Sequence, residues 1–123
     1  MNPLGLVKNF TAETAIPKRR IVAFGAVDGF AALAVAAPGV MGVSGIRGAD
    51  VGGRVDIYLS DFHDVEFGGA VANGDYVTAD ADGRAIKAAP GAGLTMDVVG
   101  RAFATGPAGS IGSILVQPQQ ITG

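Results

Sequence analysis

The 123-residue chain contains no cysteine, no tryptophan, a single histidine and few charged side chains. Without cysteine it has no disulfide, no thiolate metal site and no cysteine nucleophile. Charged residues make up 16% of the chain, whereas soluble proteins usually carry about 25%. Since 49% of the residues are hydrophobic, the chain is too apolar to stay disordered. We therefore expect one folded domain with part of its surface covered by other protein chains.

Long hydrophobic segments are missing as well. The longest apolar run, residues 30–40, already contains Pro38 and Gly39 and falls far short of the roughly 20 residues that span a bilayer. The opening residues MNPLGLVKNF lack the basic and apolar regions of a secretory signal. We expect no membrane partner and synthesis in a cytoplasm.

Charge is unevenly distributed along the chain, although the net charge is only −2. Residues 1–27 carry four basic side chains and one acidic (4 − 1 = +3), and residues 56–82 carry seven acidic side chains and no Lys or Arg (−7). The domain lacks the basic excess typical of nucleic-acid binding. The two patches either steer subunits towards each other or are simply solvated.

Short stretches of β-forming residues between glycine turns predict an all-β fold. In residues 53–59 apolar and polar side chains alternate, as in a strand with one solvated face. The alanine-rich residues 30–37 are the only helical candidate, and Pro38 would end that helix. The predicted strands are Arg20–Phe24, Gly53–Leu59, Asp64–Phe67, Asp75–Thr78, Met96–Val99 and Ser113–Val116. The sequence thus predicts an all-β fold with little or no helix.

The two halves of the chain have similar sequences. Asp28-Gly-Phe-Ala31 recurs as Asp82-Gly-Arg-Ala85, at an offset of 54 (82 − 28) that grows to 59 where Val55 is matched with Ile114 (114 − 55). This pattern predicts two β-units, residues 8–59 and 63–117, inside one domain of residues 18–123, because one such unit cannot bury its own face. Coincidence in a chain rich in alanine and glycine is the alternative.

The acidic cluster Asp80-Ala-Asp82-Gly83 is either a turn or part of a metal site. Asp-Gly favours a two-residue hairpin turn, since both residues tolerate positive φ. A calcium loop that began at Asp80 would need a glutamate at its twelfth position, where this chain has Gly91. The cluster therefore predicts a hairpin tip, with no metal and no cofactor.

Residues 60–64 place a serine, the only histidine and two aspartates side by side. A hydrolase needs its base and nucleophile to face each other, whereas strand neighbours point to opposite faces. Asp61 and His63 would supply two metal ligands, where a zinc site needs three or four. The glycine loops 48–53 and 106–112 lack the lysine of a Walker loop. We expect no catalytic residue and no enzyme activity.

The N-terminal residues 1–17 are either the first strand of the core or an arm that pairs with a sheet edge on another protein. The basic run Lys18-Arg-Arg20 follows them. Contact with acidic groups of a neighbouring chain, a weak nucleic-acid contact and a solvated strand end all fit this run.

A series of short motifs in a fixed order covers nearly the whole chain. They are Asn2-Pro-Leu, Lys8-Asn-Phe-Thr11, Arg20-Ile-Val-Ala-Phe-Gly25, Met41-Gly-Val-Ser44, Gly53-Arg-Val-Asp56, Val65-Glu-Phe-Gly-Gly69, Asn73-Gly-Asp75, Asp80-Ala-Asp-Gly83 and Gly109-Ser-Ile-Gly112. In order and spacing they resemble the small capsid cement, or head decoration, proteins of tailed bacteriophages. Residues 61–64 depart from the family pattern.

The resemblance implies a small β-barrel or β-tulip-like subunit that binds the outer surface of the major capsid protein lattice, usually as a homotrimer, and stabilises the expanded head. It implies a virion protein on the capsid exterior, made in the cytoplasm of the bacterial host, without catalytic residues, nucleic acid or membrane. An N-terminal arm often contacts the shell in such proteins. Together with the basic run, this predicts a capsid-binding set of Asn2, Pro3, Leu4, Leu6, Val7, Lys8, Phe10, Lys18, Arg19 and Arg20.

A second interpretation is a receptor- or carbohydrate-binding β module of a phage tail or adhesin. Clustered exposed aromatic residues would favour it, but the chain has no tryptophan and only two tyrosines, Tyr58 and Tyr76. A trimeric enzyme with sites between subunits is a third interpretation, for which no pair of base and nucleophile is visible.

Overall fold

In a computed structural model, which describes residues 6–35 and 39–123, all regular structure is β-strand. The ten strands are β1 (Val7–Ala12), β2 (Ile21–Phe24), β3 (Phe30–Leu33), β4 (Val40–Ser44), β5 (Arg54–Tyr58), β6 (Asp61–Glu66), β7 (Tyr76–Ala79), β8 (Ala85–Lys87), β9 (Thr95–Ala102) and β10 (Ile111–Thr122). The described part of the chain has no helix that could cross a membrane. The all-β prediction is confirmed.

The helical candidate at residues 30–37 is wrong for residues 30–33, which form β3. β3 pairs with β1 on one side and with β2 on the other, and these tertiary pairings override the helix propensity of alanine. The remainder of the candidate includes residues 36 and 37, which lie outside the described residues.

The first half of the chain forms a closed barrel with the strand order β1-β3-β2-β4-β5. Antiparallel pairing of β1 with β5 closes it, and β1 runs parallel to β3. Inward-facing side chains fill the interior: Phe10, Ala12, Ile16, Val22, Ala31, Met41, Val55 and Ile57. On β5 the buried Val55 and Ile57 alternate with more exposed polar residues, as the sequence predicts.

The second half repeats this connectivity as a five-stranded sheet, β6-β10-β9-β7-β8. Phe67 at the end of β6 forms a parallel bridge to Ala85 of β8, which corresponds to the β1–β3 pairing. The bridge Ile16–Ala49 likewise corresponds to Val71–Gly106, at offsets of 55 (71 − 16) and 57 (106 − 49).

Strand register shows which residues are equivalent in the last strands of the two halves, β5 and β10. Thr11 pairs with Arg54, and Glu66 pairs with Ile111. The final offset is therefore 57 (111 − 54), and Ile114 corresponds to Ile57. The offset of 59 expected from the sequence is wrong, because apolar composition alone does not define which residues pair.

The two halves pack through unlike faces. Ile21 and Val43, on the outer face of the first barrel, are fully buried in a core shared with the second half. The Ile21 N–H donates to the Gly83 carbonyl at 2.7 Å, and the Glu66 N–H donates to the Arg19 carbonyl at 3.0 Å. All five residues of β4 are buried, since its two faces contribute to two different cores.

The β7–β8 hairpin tip, residues 80–84, packs in this junction. The Asp80 carboxylate accepts the N–H groups of Asp82 at 2.8 Å and Arg84 at 2.9 Å. Gly83 has φ +74°. Asp82 does not share this conformation, since among the described residues other than glycine only Arg19 and Asp61 have positive φ. The predicted hairpin is thus present, but not as a two-residue turn: the Asp80 side chain holds a longer loop in which only Gly83 is left-handed.

Candidate functional site

Three of the predicted contact residues, Asn2, Pro3 and Leu4, lie outside the described residues. Leu6 is 65% exposed, and its backbone is fixed by a hydrogen bond from its N–H to Ser60 Oγ at 2.9 Å. Val7 and Lys8 begin β1 with exposed side chains.

Phe10 differs from the other predicted contact residues on β1, because its side chain faces the barrel interior and is 8% exposed. The Lys8 ammonium lies 5.8 Å from the Phe10 ring centroid. Phe10 therefore stabilises the barrel and cannot meet a partner without unfolding it. The exposed surface at the start of this strand runs from Leu6, which precedes β1, to Asn9.

The basic run Lys18-Arg-Arg20 forms the turn before β2, and its three side chains have different surroundings. Lys18 is exposed. The Arg20 guanidinium donates to the Asp82 carbonyl at 3.0 Å and lies 3.4 Å from the Glu66 carboxylate, with its side chain 19% exposed. Arg20 thus joins the two halves, which leaves Lys18 and Arg19 for a partner.

A cleft of about 220 Å³ opens between the two halves, beside Arg19. Its floor contains Tyr58, at the end of β5, and His63 of β6, whose rings stack at 3.9 Å between centroids and 6° between planes. Tyr58 also pairs with Val7, so the cleft borders the exposed start of β1. This junction cleft is lined by Arg19, Ser44, Gly45, Ile46, Tyr58, Phe62, His63 and Asp64.

Exposed apolar side chains surround the junction cleft. Ile46 is 71% exposed, Phe62 50% and Phe103 52%. The rings of Phe62 and Phe103 make an edge-to-face contact at 5.0 Å. Exposed apolar patches of this kind mark interaction surfaces, and aromatic residues and arginine are enriched at protein interfaces.

Ile46, Phe62 and Phe103 are not among the contact residues predicted from the sequence. Ile46 and Phe103 lie just beyond the ends of β4 and β9, where no periodicity applies. The one available signal was the departure from the family pattern at residues 61–64, which contain Phe62.

The polar residues of the 60–64 stretch have local structural roles. Ser60 accepts the Leu6 N–H, and Asp61, with φ +74°, accepts the Phe62 N–H at 2.9 Å. His63 Nε2 is buried without a hydrogen-bond partner, beneath the Tyr58 ring. The described residues contain no group of three or more His, Asp or Glu side chains placed to hold a metal ion. The arrangement suits binding through apolar and stacking contacts.

Comparison with solved structures gives a match over nearly the whole chain. The fold is similar to that of the head fiber gp8.5 N base in bacteriophage phi29, with a TM-score of 0.64, 18% sequence identity, and coverage of 91% of this chain and 93% of that chain. No protein-family model matches the sequence. No curated protein matches it either.

Proposed function

We propose that this protein is a capsid decoration, or cement, protein of a tailed bacteriophage. It binds the outer surface of the major capsid protein lattice as a homotrimer and stabilises the expanded head. Its location is the virion exterior, after synthesis in the cytoplasm of the bacterial host, and it acts by binding rather than by catalysis. The observation that carries the proposal is the fold match to a phage head-fiber base, which spans 91% of this chain and 93% of the other.

The junction cleft and the exposed start of β1 are the proposed contact surface. Ile46 and Phe62 supply the apolar centre, and Arg19 in the cleft and the exposed Lys8 of β1 supply flanking positive charge. Each large apolar side chain that becomes fully covered contributes about 1.5–3 kcal/mol. A few such side chains provide a moderate affinity for each subunit, which a homotrimer raises through avidity.

Stabilisation of the head follows from selective binding. A protein that binds only the expanded shell favours that state by RT ln(1 + [L]/Kd), or about 2.7 kcal/mol per site at a hundredfold excess over Kd. Summed over many sites, this resists the internal pressure of packaged DNA. No covalent chemistry is needed.

The receptor- or carbohydrate-binding module remains a second candidate because of one observation. Phe62 and Phe103 form an exposed aromatic pair, and exposed aromatic faces bind sugars. Phenylalanine lacks the polar group that tyrosine and tryptophan would add, so the apolar contact with a protein shell is the better fit.

Co-sedimentation with expanded capsids of the protein's own phage tests the proposal. The wild type should bind to saturation at a fixed ratio to the capsid subunit. Phe62→Asp should lose most of this binding, since it places a charge in the apolar centre. Val51→Asp is the matched control, because Val51 is 69% exposed and lies outside the cleft.

Deletion of residues 1–5 tests a contribution of the predicted N-terminal arm separately from that of the junction cleft. A longer deletion would remove β1, which begins at Val7, and would open the barrel. Binding that survives this deletion and is lost in Phe62→Asp places the contact at the cleft, whereas the reverse places it on the arm. If the wild type binds no form of the capsid, the decoration proposal is wrong, and binding to a glycan array would then support the second candidate.

A further inference from the structure

The junction between the two halves is heterologous, because each half contributes a different face. A Cβ added to Gly83, in the tip of the second half, would collide with Leu33 Cδ1 and lie 3.1 Å from the Ile21 carbonyl oxygen. The corresponding tip of the first half contains Gly29, also with positive φ, and a Cβ there would meet nothing within 4 Å. A two-fold relation between the halves would have covered both tips.

The junction uses the hairpin tip of the second half and the receiving surface of the first half. Because the halves are similar, the tip of the first half and the receiving surface of the second half stay uncovered and should also be complementary. The first open face is the β2–β3 tip, residues 25–29, which we name the first tip. The second is the outer face of β7, β8 and β9. Since Tyr76 pairs with Arg101 as Ile21 pairs with Val43, this face is the counterpart of the surface that receives Gly83.

The second open face, which we name the second socket, consists of Tyr76, Lys87 and Arg101. Lys87 pairs with Val77 as Leu33 pairs with Val22, so Lys87 holds the position of the side chain that contacts Gly83. The Arg101 guanidinium carbon lies 4.7 Å from the Tyr76 ring centroid, and its Nε donates to the Gly74 carbonyl at 3.0 Å. The socket therefore carries two positive charges, one of which, on Arg101, lies over the Tyr76 ring.

The first tip has the opposite charge. It contains Asp28, and the Glu13 carboxylate accepts the Ala26 N–H at 3.0 Å. Beside these acids Phe24 is 67% exposed and Val27 is 61% exposed. The first tip and the adjacent Glu13 thus combine two negative charges with apolar side chains, which complements the cations and the tyrosine of the second socket.

The residue types at the two surfaces also fit one contact within the chain and one between chains. The surface that receives Gly83, which we name the first socket, is covered within the chain and presents Ile21, Leu33 and Val43. The second presents Tyr76, Lys87 and Arg101, so it stays hydrated before a partner arrives. Tyrosine and arginine are the residue types that dominate the energy of interfaces between separate proteins.

We propose that copies of this chain associate head to tail, with the first tip of one copy docked in the second socket of the next. The contact repeats, between chains, the docking of Gly83 within the chain. A heterologous contact of this kind closes into a ring when its rotation allows. It would supply the subunit contact of the proposed homotrimer, but it is tested without any capsid and does not depend on capsid binding.

Disulfide trapping tests the contact directly, because the chain has no cysteine of its own. Asp28→Cys and Lys87→Cys are made as separate single-cysteine variants, mixed and mildly oxidised. Both positions are exposed, and the two variants keep Glu13 beside the first tip and Arg101 in the second socket as opposite charges. The mixture should form a cross-linked heterodimer at a yield about fivefold above that of Val51→Cys mixed with Lys87→Cys.

Each single variant oxidised alone is the second control and should give little dimer. Dimerisation of Lys87→Cys alone, at the yield of the mixture, would show a two-fold contact and overturn the proposal. Equal yields with the Val51→Cys control would show random collision and overturn it as well.

Charge reversal tests the same contact in the absence of cysteine. Asp28→Lys should reduce self-association, measured by sedimentation velocity at high protein concentration. Asp28→Lys combined with Lys87→Asp and Arg101→Asp should restore it, since the charges are exchanged across the contact. If every variant matches the wild type in sedimentation and melting temperature, the proposed contact does not form.

Discussion

Replacement of Gly112 by alanine tests a packing arrangement that differs between the two halves. Gly112 lies on β10, where an added Cβ would be 2.5 Å from Phe67 Cζ and 3.2 Å from Ala104 Cβ. Phe67 is 1% exposed, so its ring cannot swing into solvent. In the first half Phe67 corresponds to Ala12 (67 − 55) and Gly112 corresponds to Val55 (112 − 57). The large side chain therefore lies at the first strand of the pair in one half and on the last strand in the other.

The expected loss follows from this overlap. Overpacking of a rigid core costs about 1–3 kcal/mol. With an unfolding entropy of about 2.1 cal/mol/K per residue, a chain of 123 residues loses roughly 4 °C in Tm per kcal/mol, so Gly112→Ala should lower the Tm by about 4–12 °C. Gly69→Ala is the matched control, because its Cβ would make an ordinary contact at 3.5 Å with Ile86.

A double-mutant cycle shows whether the loss comes from the Phe67 ring. Phe67→Leu leaves a small cavity and is destabilising by itself. Combined with Gly112→Ala, it should cost less than the sum of the two single changes, by at least about 0.5 kcal/mol in urea unfolding. Additive losses, or a stable Gly112→Ala variant, would refute the packing argument.

Three further predictions concern the junction and its turns. Glu66→Gln removes the ion pairs with two half-buried arginines and should lower the unfolding free energy by about 1 kcal/mol, with a smaller effect at high salt; equal effects at both salt concentrations would contradict this. Arg19→Gly should raise the Tm, since Arg19 has φ +55° where the second half has Gly74. Asp80→Ala should cost about 1–2 kcal/mol, and Ca²⁺ should leave the wild-type Tm unchanged; a rise would indicate a metal site.

The strands that could be predicted from the sequence are those with local alternation, such as β5. β10 could be predicted only in part: the predicted strand, residues 113–116, contains three consecutive apolar residues, but the strand extends from Ile111 to Thr122. Its second part contains Pro118 and three glutamines and is held in the sheet by pairing with β9. β4 could not be predicted for a similar reason: its outward-facing side chains are buried only because the second half packs on them.

The candidate site was less predictable because exposure is not a local property. Arg20 has the sequence context of a solvated cation, yet Glu66 and the Asp82 carbonyl enclose it. Phe10 and Phe62 are both aromatic residues on strands, and only the closure of the barrel separates the buried one from the exposed one.

The duplicated halves separate residues that the fold requires from residues available for binding. Gly42 and Gly100 hold equivalent positions, and a Cβ at either would collide with a carbonyl oxygen of the neighbouring strand, so both are explained by packing. Ile46 and Phe103 are also equivalent (103 − 46 = 57), and both are apolar side chains at least half exposed. The edge-to-face contact with Phe62 covers only part of Phe103, so packing within the chain does not account for their apolar type. A surface that needs covering by another protein does explain it, and this is why the apolar rim of the junction cleft, rather than the basic run, is the first target for mutation.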